Sequence, residues 1–191
     1  MGQIISRRKK SRRLLIVSAA VTLLWMLVIF LFSAQNADES GSMSGNLLQW
    51  LLRTFVPHWE TMTAAEHRHI TDMLHTVFRK LGHFTEYTVL GFLLTLTVRR
   101  LRKTKKLKSR QTLPLGGIWL PALLALLYAA SDELHQRFVA GRSCELRDVL
   151  IDFSGACLGI ALNTLLNRLH RKRKARRRRR QSTPEKTVLM Q

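Results

Sequence analysis

Acidic residues are scarce in this chain of 191 residues: 12 Asp and Glu stand against 32 Lys and Arg, a formal charge of +20. Cysteine is scarcer still, with two in the whole sequence, which excludes a disulfide framework. Charge of either sign is missing altogether from Leu14 to Ala34. A helix rising about 1.5 Å per residue crosses a hydrocarbon core of roughly 30 Å within such a run. Contiguous apolar material on this scale excludes an intrinsically disordered chain. It is also too long for the strands of a soluble parallel-sheet enzyme. The mean hydropathy of −0.03 suggests a soluble basic protein only because apolar runs and basic blocks cancel in the average.

The blocks are Arg7–Arg13, Arg99–Arg110 and Arg168–Arg180. The first precedes the run 14–34 as in a signal peptide, but the run is too long and no small-x-small cleavage site follows, so it reads as an uncleaved span. Further spans are expected at about 81–98, 113–131 and 146–167, the second and fourth carrying acidic residues. No internal repeat is apparent. The fold class is an all-α membrane protein with four transmembrane helices. A basic cytoplasmic tail (1–13), a membrane domain (14–168) and a basic, disordered cytoplasmic tail (169–191) follow from it.

With the N-terminus inside, the inner segments hold 25 of the 32 Lys and Arg, and of the acids only Glu185. Both termini are therefore expected in the cytoplasm. In the first outer segment, Leu47, Leu48, Leu51, Leu52 and Phe55 form an apolar stripe with Trp50 and Trp59 nearby, and Pro57 interrupts it. Thr63 and Glu66 have capping-box spacing, and Ile70, Met73, Leu74, Val77, Phe78 and Leu81 make a second stripe that leads into the second span. Two amphipathic helices lying on the outer face are expected.

A charged residue in a membrane costs ~2.5–3.5 kcal/mol on insertion scales, so each one needs a reason. The second span carries His83, Glu86 and Tyr87 on one face, with Arg79 and Lys80 just above. The third ends in Asp132, Glu133, His135 and Gln136, and Arg142 lies in the turn that follows. The fourth opens with Asp148 and Asp152. Spans two and four run inward and span three runs outward, so these groups converge at one depth, roughly 6–8 Å into the outer leaflet. Paired charges bracing the helices are one reading, with Lys80 and Arg142 as counter-ions. A site for a polar or charged head group is the other. Gly155 and Gly159 continue the face of Asp148 and Asp152 toward Asn163, a small-xxx-small pattern for packing within the chain, with homodimerisation as the alternative.

At these residues the chain resembles the VanZ-like family of small bacterial membrane proteins. The resemblance lies in Phe78–Leu93 (FRKLGHFTEYTVLGFL), in Ser131–Gly159 (SDELHQRFVAGRSCELRDVLIDFSGACLG) and in Phe32-Ser33-Ala34-Gln35 at the end of the first span. Carried over residue by residue, it selects Arg79, Lys80, His83, Glu86, Tyr87, Asp132, Glu133, His135, Gln136, Arg142, Asp148 and Asp152. Ala140 departs from the family pattern, which usually has Pro there. The family's founding member is associated with resistance to teicoplanin, so the resemblance implies a cell-envelope membrane protein. It implies no particular reaction and does not make this chain a resistance protein.

Other signals are set aside. The basic tail at Arg176–Arg180 follows a membrane span, where Lys and Arg set orientation and bind anionic lipid, so no nucleic-acid partner is expected. Met1-Gly2-Gln3-Ile4-Ile5-Ser6 matches a myristoylation pattern, which four spans make redundant. Cys144 and Cys157 share one helix too far apart to bond. His83, His135, Glu86 and Glu133 lack a specific zinc spacing, His58, His67, His69 and His75 form none, and no serine sits in a nucleophile elbow, so no metal or cofactor is expected. What emerges is a multi-pass cell-membrane protein that binds or modifies a polar, lipid-linked ligand at the cluster. Glu86, Glu133 and Asp152 are candidates for proton transfer, His83 and His135 for acid/base or orienting roles, and Arg142 for an anionic group. A non-enzymatic scaffold with a structural cluster is the alternative. A small transporter is disfavoured, because four spans without a repeat would have to dimerise.

Overall fold

The structure, a computed structural model, describes residues 2–34, 50, 52–54, 59–105, 116–139 and 145–182. Four long helices dominate it: α1 (Gly2–Ser33), α2 (Ala64–Lys105), α3 (Gly116–Gln136) and α4 (Leu146–Ser182). There is no strand among the described residues. Lys9–Ser33, Gly117–Gln136 and Leu146–Arg178 are long and apolar enough to cross a membrane. The 42-residue α2 falls short on apolarity, not on length.

The helices differ from the expected boundaries in three places. α2 starts at Ala64, so the amphipathic segment expected on the outer face and the span expected from 81 form one uninterrupted helix. Proline is absent from Ala64–Lys105, and nothing local forces a break. α3 runs on to Gln136, past the expected end at 131. Where a disordered tail is expected from 169, α4 continues to Ser182 through a run of Arg and Lys, which are good helix formers. In the first amphipathic stripe, Leu47, Leu48, Leu51 and Phe55 lie outside the described residues, whereas Leu52 is buried.

The start of α2 is a reciprocal cap. Thr63 donates its N–H to Glu66 Oε2 at 2.8 Å, and the Glu66 N–H reaches back to Thr63 Oγ1 at 3.4 Å. The Thr63 backbone and hydroxyl donors hold the Glu66 carboxyl below its ordinary value. This contribution is therefore present at neutral pH and fades as pH falls through that lowered value. The turn Trp59–Thr61 docks on the cap, with His67 Nε2 2.6 Å from the Trp59 carbonyl and the two rings stacked at 4.1 Å. Thr63→Ala should cost about 1 kcal/mol locally. Hydrogen exchange at the first-turn amides of α2 should quicken several-fold with the rest of the helix unchanged.

Contacts between helices give their relative directions. Ser11 and Leu14 of α1 meet Thr104 and Arg100 of α2, while Trp25 meets Glu86, so these two are antiparallel. Met26 and Ser33 of α1 meet Tyr128 and Asp132, so α1 and α3 are parallel. Lys80 meets Asp148 and Arg99 meets Asn163, so α2 and α4 are parallel as well. Neighbours in sequence thus alternate up and down. α2 packs on all three others and is the central helix.

Three glycines set the distance between α2 and α4. A Cβ on Gly155 would fall on the Phe84 carbonyl, one on Gly159 on the Thr88 carbonyl, and one on Gly91 on the Ala156 carbonyl. The backbones therefore touch directly, as small residues allow in membrane bundles. Further along, the Arg99 guanidinium donates to the Asn163 carbonyl and side chain at 3.0 and 2.6 Å and to Thr164 Oγ1 at 3.1 Å. The Asn163 amide in turn donates to the Phe92 carbonyl at 3.0 Å.

Polarity is inverted relative to a water-soluble bundle. Leu23, Leu24, Leu27 and Leu31 of α1, Leu123 and Leu127 of α3, and Leu158, Leu162 and Leu165 of α4 are exposed. Ser18, Thr22, Ser33, Thr95, Asp132, Glu133, Gln136, Asp152 and Asn163 are buried. Water would reject that outer surface, and hydrocarbon accepts it. In α2 the polar Tyr87 and Thr95 are buried against its neighbours, while Glu66, Arg68, His69 and Asp72 near its start are exposed.

Candidate functional site

Near one end of the bundle, α2, α3 and α4 bring their ionisable residues to one level. Arg79, Lys80, His83, Glu133, Gln136, Asp148, Ile151 and Asp152 line a small cleft there. The parallel course of α2 and α4 explains the match. Lys80 and His83 descend one helix at the pace at which Asp148 and Asp152 descend the other, one turn apart in each case.

The rim is ionic. Lys80 Nζ lies 2.9 Å from Asp148 Oδ1, and Arg79 Nη2 lies 3.9 Å from Asp148 Oδ2. All three groups remain partly exposed, so the pair steers and orients more than it stabilises. His83 Nδ1 is 3.9 Å from Glu86 Oε2, and the Glu86 backbone carbonyl accepts the Trp25 indole N–H at 2.9 Å.

Below the rim the polar groups are buried. Asp132 and Asp152 are 3% and 2% exposed, and Tyr87 is fully enclosed beside both. Asp132 Oδ2 accepts the Ser33 hydroxyl at 2.7 Å and the Gln136 amide at 3.5 Å. Asp132 Oδ1, Asp152 Oδ1 and the Tyr87 hydroxyl have no partner in hydrogen-bond geometry among the described residues, although Tyr87 and Asp132 lie close enough to interact. Glu133 is committed differently: its Oε1 accepts the Glu145 backbone N–H at 2.6 Å, which ties α3 to the start of α4.

The twelve residues singled out from the sequence thus have distinct locations. Arg79, Lys80, His83, Glu133, Gln136, Asp148 and Asp152 line the cleft, and Asp132 and Tyr87 stand beside them. Glu86 flanks His83. His135 packs its ring on Phe30 at 4.6 Å. Arg142 lies outside the described residues. Gly155 and Gly159 sit at the crossing with α2. Ser33, absent from that set, supplies the shortest hydrogen bond to Asp132. Its signal was the Phe32-Ser33-Ala34-Gln35 ending of the first span, a family feature to which spacing alone assigns no chemistry.

The carboxylates that converge with a histidine are also not those suggested by spacing. His83, Asp132 and Asp152 each present a donor atom, all within 4.8 Å of one another. Comparison with family models gives a match over residues 18–167, to the family described as VanZ/LLP1. The chain belongs to the VanZ/LLP1 family. The matched region covers the bundle and the whole cleft of this VanZ/LLP1 protein, and stops before most of the basic tail. Searches of curated proteins and of solved structures found no match.

Proposed function

We propose that this VanZ/LLP1 protein spans the bacterial cell membrane four times, with both termini cytoplasmic. In this reading its cleft, in the outer leaflet, binds or modifies the polar head of a lipid-linked envelope ligand. One observation carries the proposal: two aspartates, almost wholly buried and unpaired with Lys or Arg among the described residues, sit under a cationic rim in a bundle whose outside is apolar. Structural ion pairs do not need unpaired carboxylates, and leaving such groups buried is costly. Arg79 and Lys80 suit an anionic group arriving from the outer surface. The alternating helix directions and the concentration of Lys and Arg on the inner side support the topology. The exposed basic end of α4 suits anionic lipid on the cytoplasmic side. A changed surface target would alter glycopeptide susceptibility.

Topology and function are testable separately. Single cysteines placed at Leu146 and at Arg173, in a background lacking Cys144 and Cys157, should react with an impermeant maleimide in intact cells at the first position only. Reaction at both or neither would sink the topology. For function, Glu133→Gln and His135→Asn proteins that insert and melt like wild type should be assayed for teicoplanin susceptibility, with mass spectrometry of co-purified lipid beside it. Loss of the phenotype or of the lipid in stable protein supports a ligand site. Loss of stability instead supports a scaffold.

A further inference from the structure

We propose that His83, Asp132 and Asp152 form a site for a single divalent cation, of the Mn²⁺ or Zn²⁺ type, at the floor of the cleft. Three helices supply one donor each, and the donor atoms lie within 4.8 Å of one another. Bonds of about 2.0–2.2 Å place ligand atoms up to roughly 4.4 Å apart around a metal, so contraction by a few tenths of an ångström closes the set.

A second observation points the same way. Asp152 Oδ1 is a buried acceptor without a donor, and Asp132 Oδ1 has none in hydrogen-bond geometry, with only the Tyr87 side chain close to that carboxylate, on side chains that are 2% and 3% exposed. Among the described residues no Lys or Arg lies within 4 Å of either, because Arg79 and Lys80 are engaged by Asp148. A dication neutralises both charges and fills both lone-pair directions at once. Ser33 and Gln136 also fix the Asp132 carboxylate through its other oxygen and leave Oδ1 clear of both, as an outer-shell partner of a ligand does.

Size and donor type narrow the occupant. The cleft is small, and the three ligand atoms within 4.8 Å of one another leave a gap of single-ion size between them. One imidazole and two carboxylates suit a borderline cation. Ca²⁺ prefers six or more oxygens and Mg²⁺ keeps most of its waters. With three protein ligands a coordination position would stay open, and the enclosed Tyr87 stands beside both aspartates. The site stands whether or not a lipid-linked ligand binds, since its test counts metal and needs no phenotype.

The full chain, carrying an affinity tag without histidine, should be purified in detergent without chelator and its metal content measured by mass spectrometry. It should then be stripped and titrated with Mn²⁺ by electron paramagnetic resonance and with Zn²⁺ by competition. About one tightly held ion per chain is expected, with a metal-dependent rise in Tm. Asp152→Asn and His83→Gln should each weaken binding tenfold or more and abolish the Tm rise, while Glu66→Gln, remote from the cleft, should bind as wild type does. His67, His69 and His75 persist in all of these proteins, so an undiminished ion in Asp152→Asn would overturn the site. So would wild-type protein that takes up neither metal. Should the variants fail to fold, the wild-type stoichiometry and Tm response decide the matter alone.

Discussion

Gly159→Leu should abolish the folded bundle. A Cβ at this position already collides with the Thr88 carbonyl and approaches the Phe92 backbone nitrogen to 2.7 Å, and backbone atoms cannot rotate away as a side chain can. Overpacking commonly costs about 1–3 kcal/mol, with larger costs where the neighbours cannot yield. Here α2 and α4 must separate, which also pulls Lys80 from Asp148 and Arg99 from Asn163. The expected result is loss of the monodisperse peak in detergent, or a Tm lower by ten degrees or more. Gly82 supplies the control, because no heavy atom lies within 4 Å of a Cβ built there. Gly82→Ala should be neutral or stabilising by up to about 1 kcal/mol, the ordinary helix preference for alanine. If Gly159→Leu melts within two degrees of wild type, the close crossing is wrong.

Asp152→Asn should have the opposite profile: intact or higher stability when both proteins are melted free of metal, with envelope phenotype or lipid co-purification reduced to background. Asparagine keeps the shape of aspartate and removes a charge that costs free energy in a buried site. Groups kept despite such a cost are those that function requires, so stability and function part company at this position. Asp132→Asn should behave alike, softened by its bonds to Ser33 and Gln136. Asp148→Asn should instead lower Tm modestly, because it strips Lys80 of its partner. Thermal melts in detergent, run beside the phenotype, distinguish the three. A function-competent Asp152→Asn protein would remove the reason for placing the site in this cleft.

The position of the cluster could be read in the sequence because helix rise is fixed. Once alternating directions are assumed, Asp152, Asp132 and His83 must reach a common level. Their roles could not be read. Spacing groups residues along one helix, whereas the arrangement of donors depends on how α2, α3 and α4 are rotated about their axes. Glu133 and His135 therefore looked equivalent to Asp132, yet one ties down the start of α4 and the other lies on Phe30. Hydropathy marks α1, α3 and α4 as apolar enough to cross a membrane and leaves out α2, because it weighs each helix without its neighbours. The second apolar stripe leads toward residue 81, and the structure makes that segment and the one beyond it a single helix from Ala64.

The parallel pairing of α2 and α4 also bears on how the protein is made. In the four-span topology proposed above, parallel helices cannot close as a hairpin, so α2 waits in the bilayer until α3 has crossed and α4 emerges from the ribosome. Throughout that interval Gly91 presents bare backbone to lipid, and Lys80 awaits Asp148. α4 must enter with two aspartates near its leading end, an unfavourable insertion when judged by itself. Its docking groove is already standing when it arrives. Biogenesis is therefore most vulnerable at the last helix, and a chain stalled before Leu146 should be held by membrane chaperones or degraded.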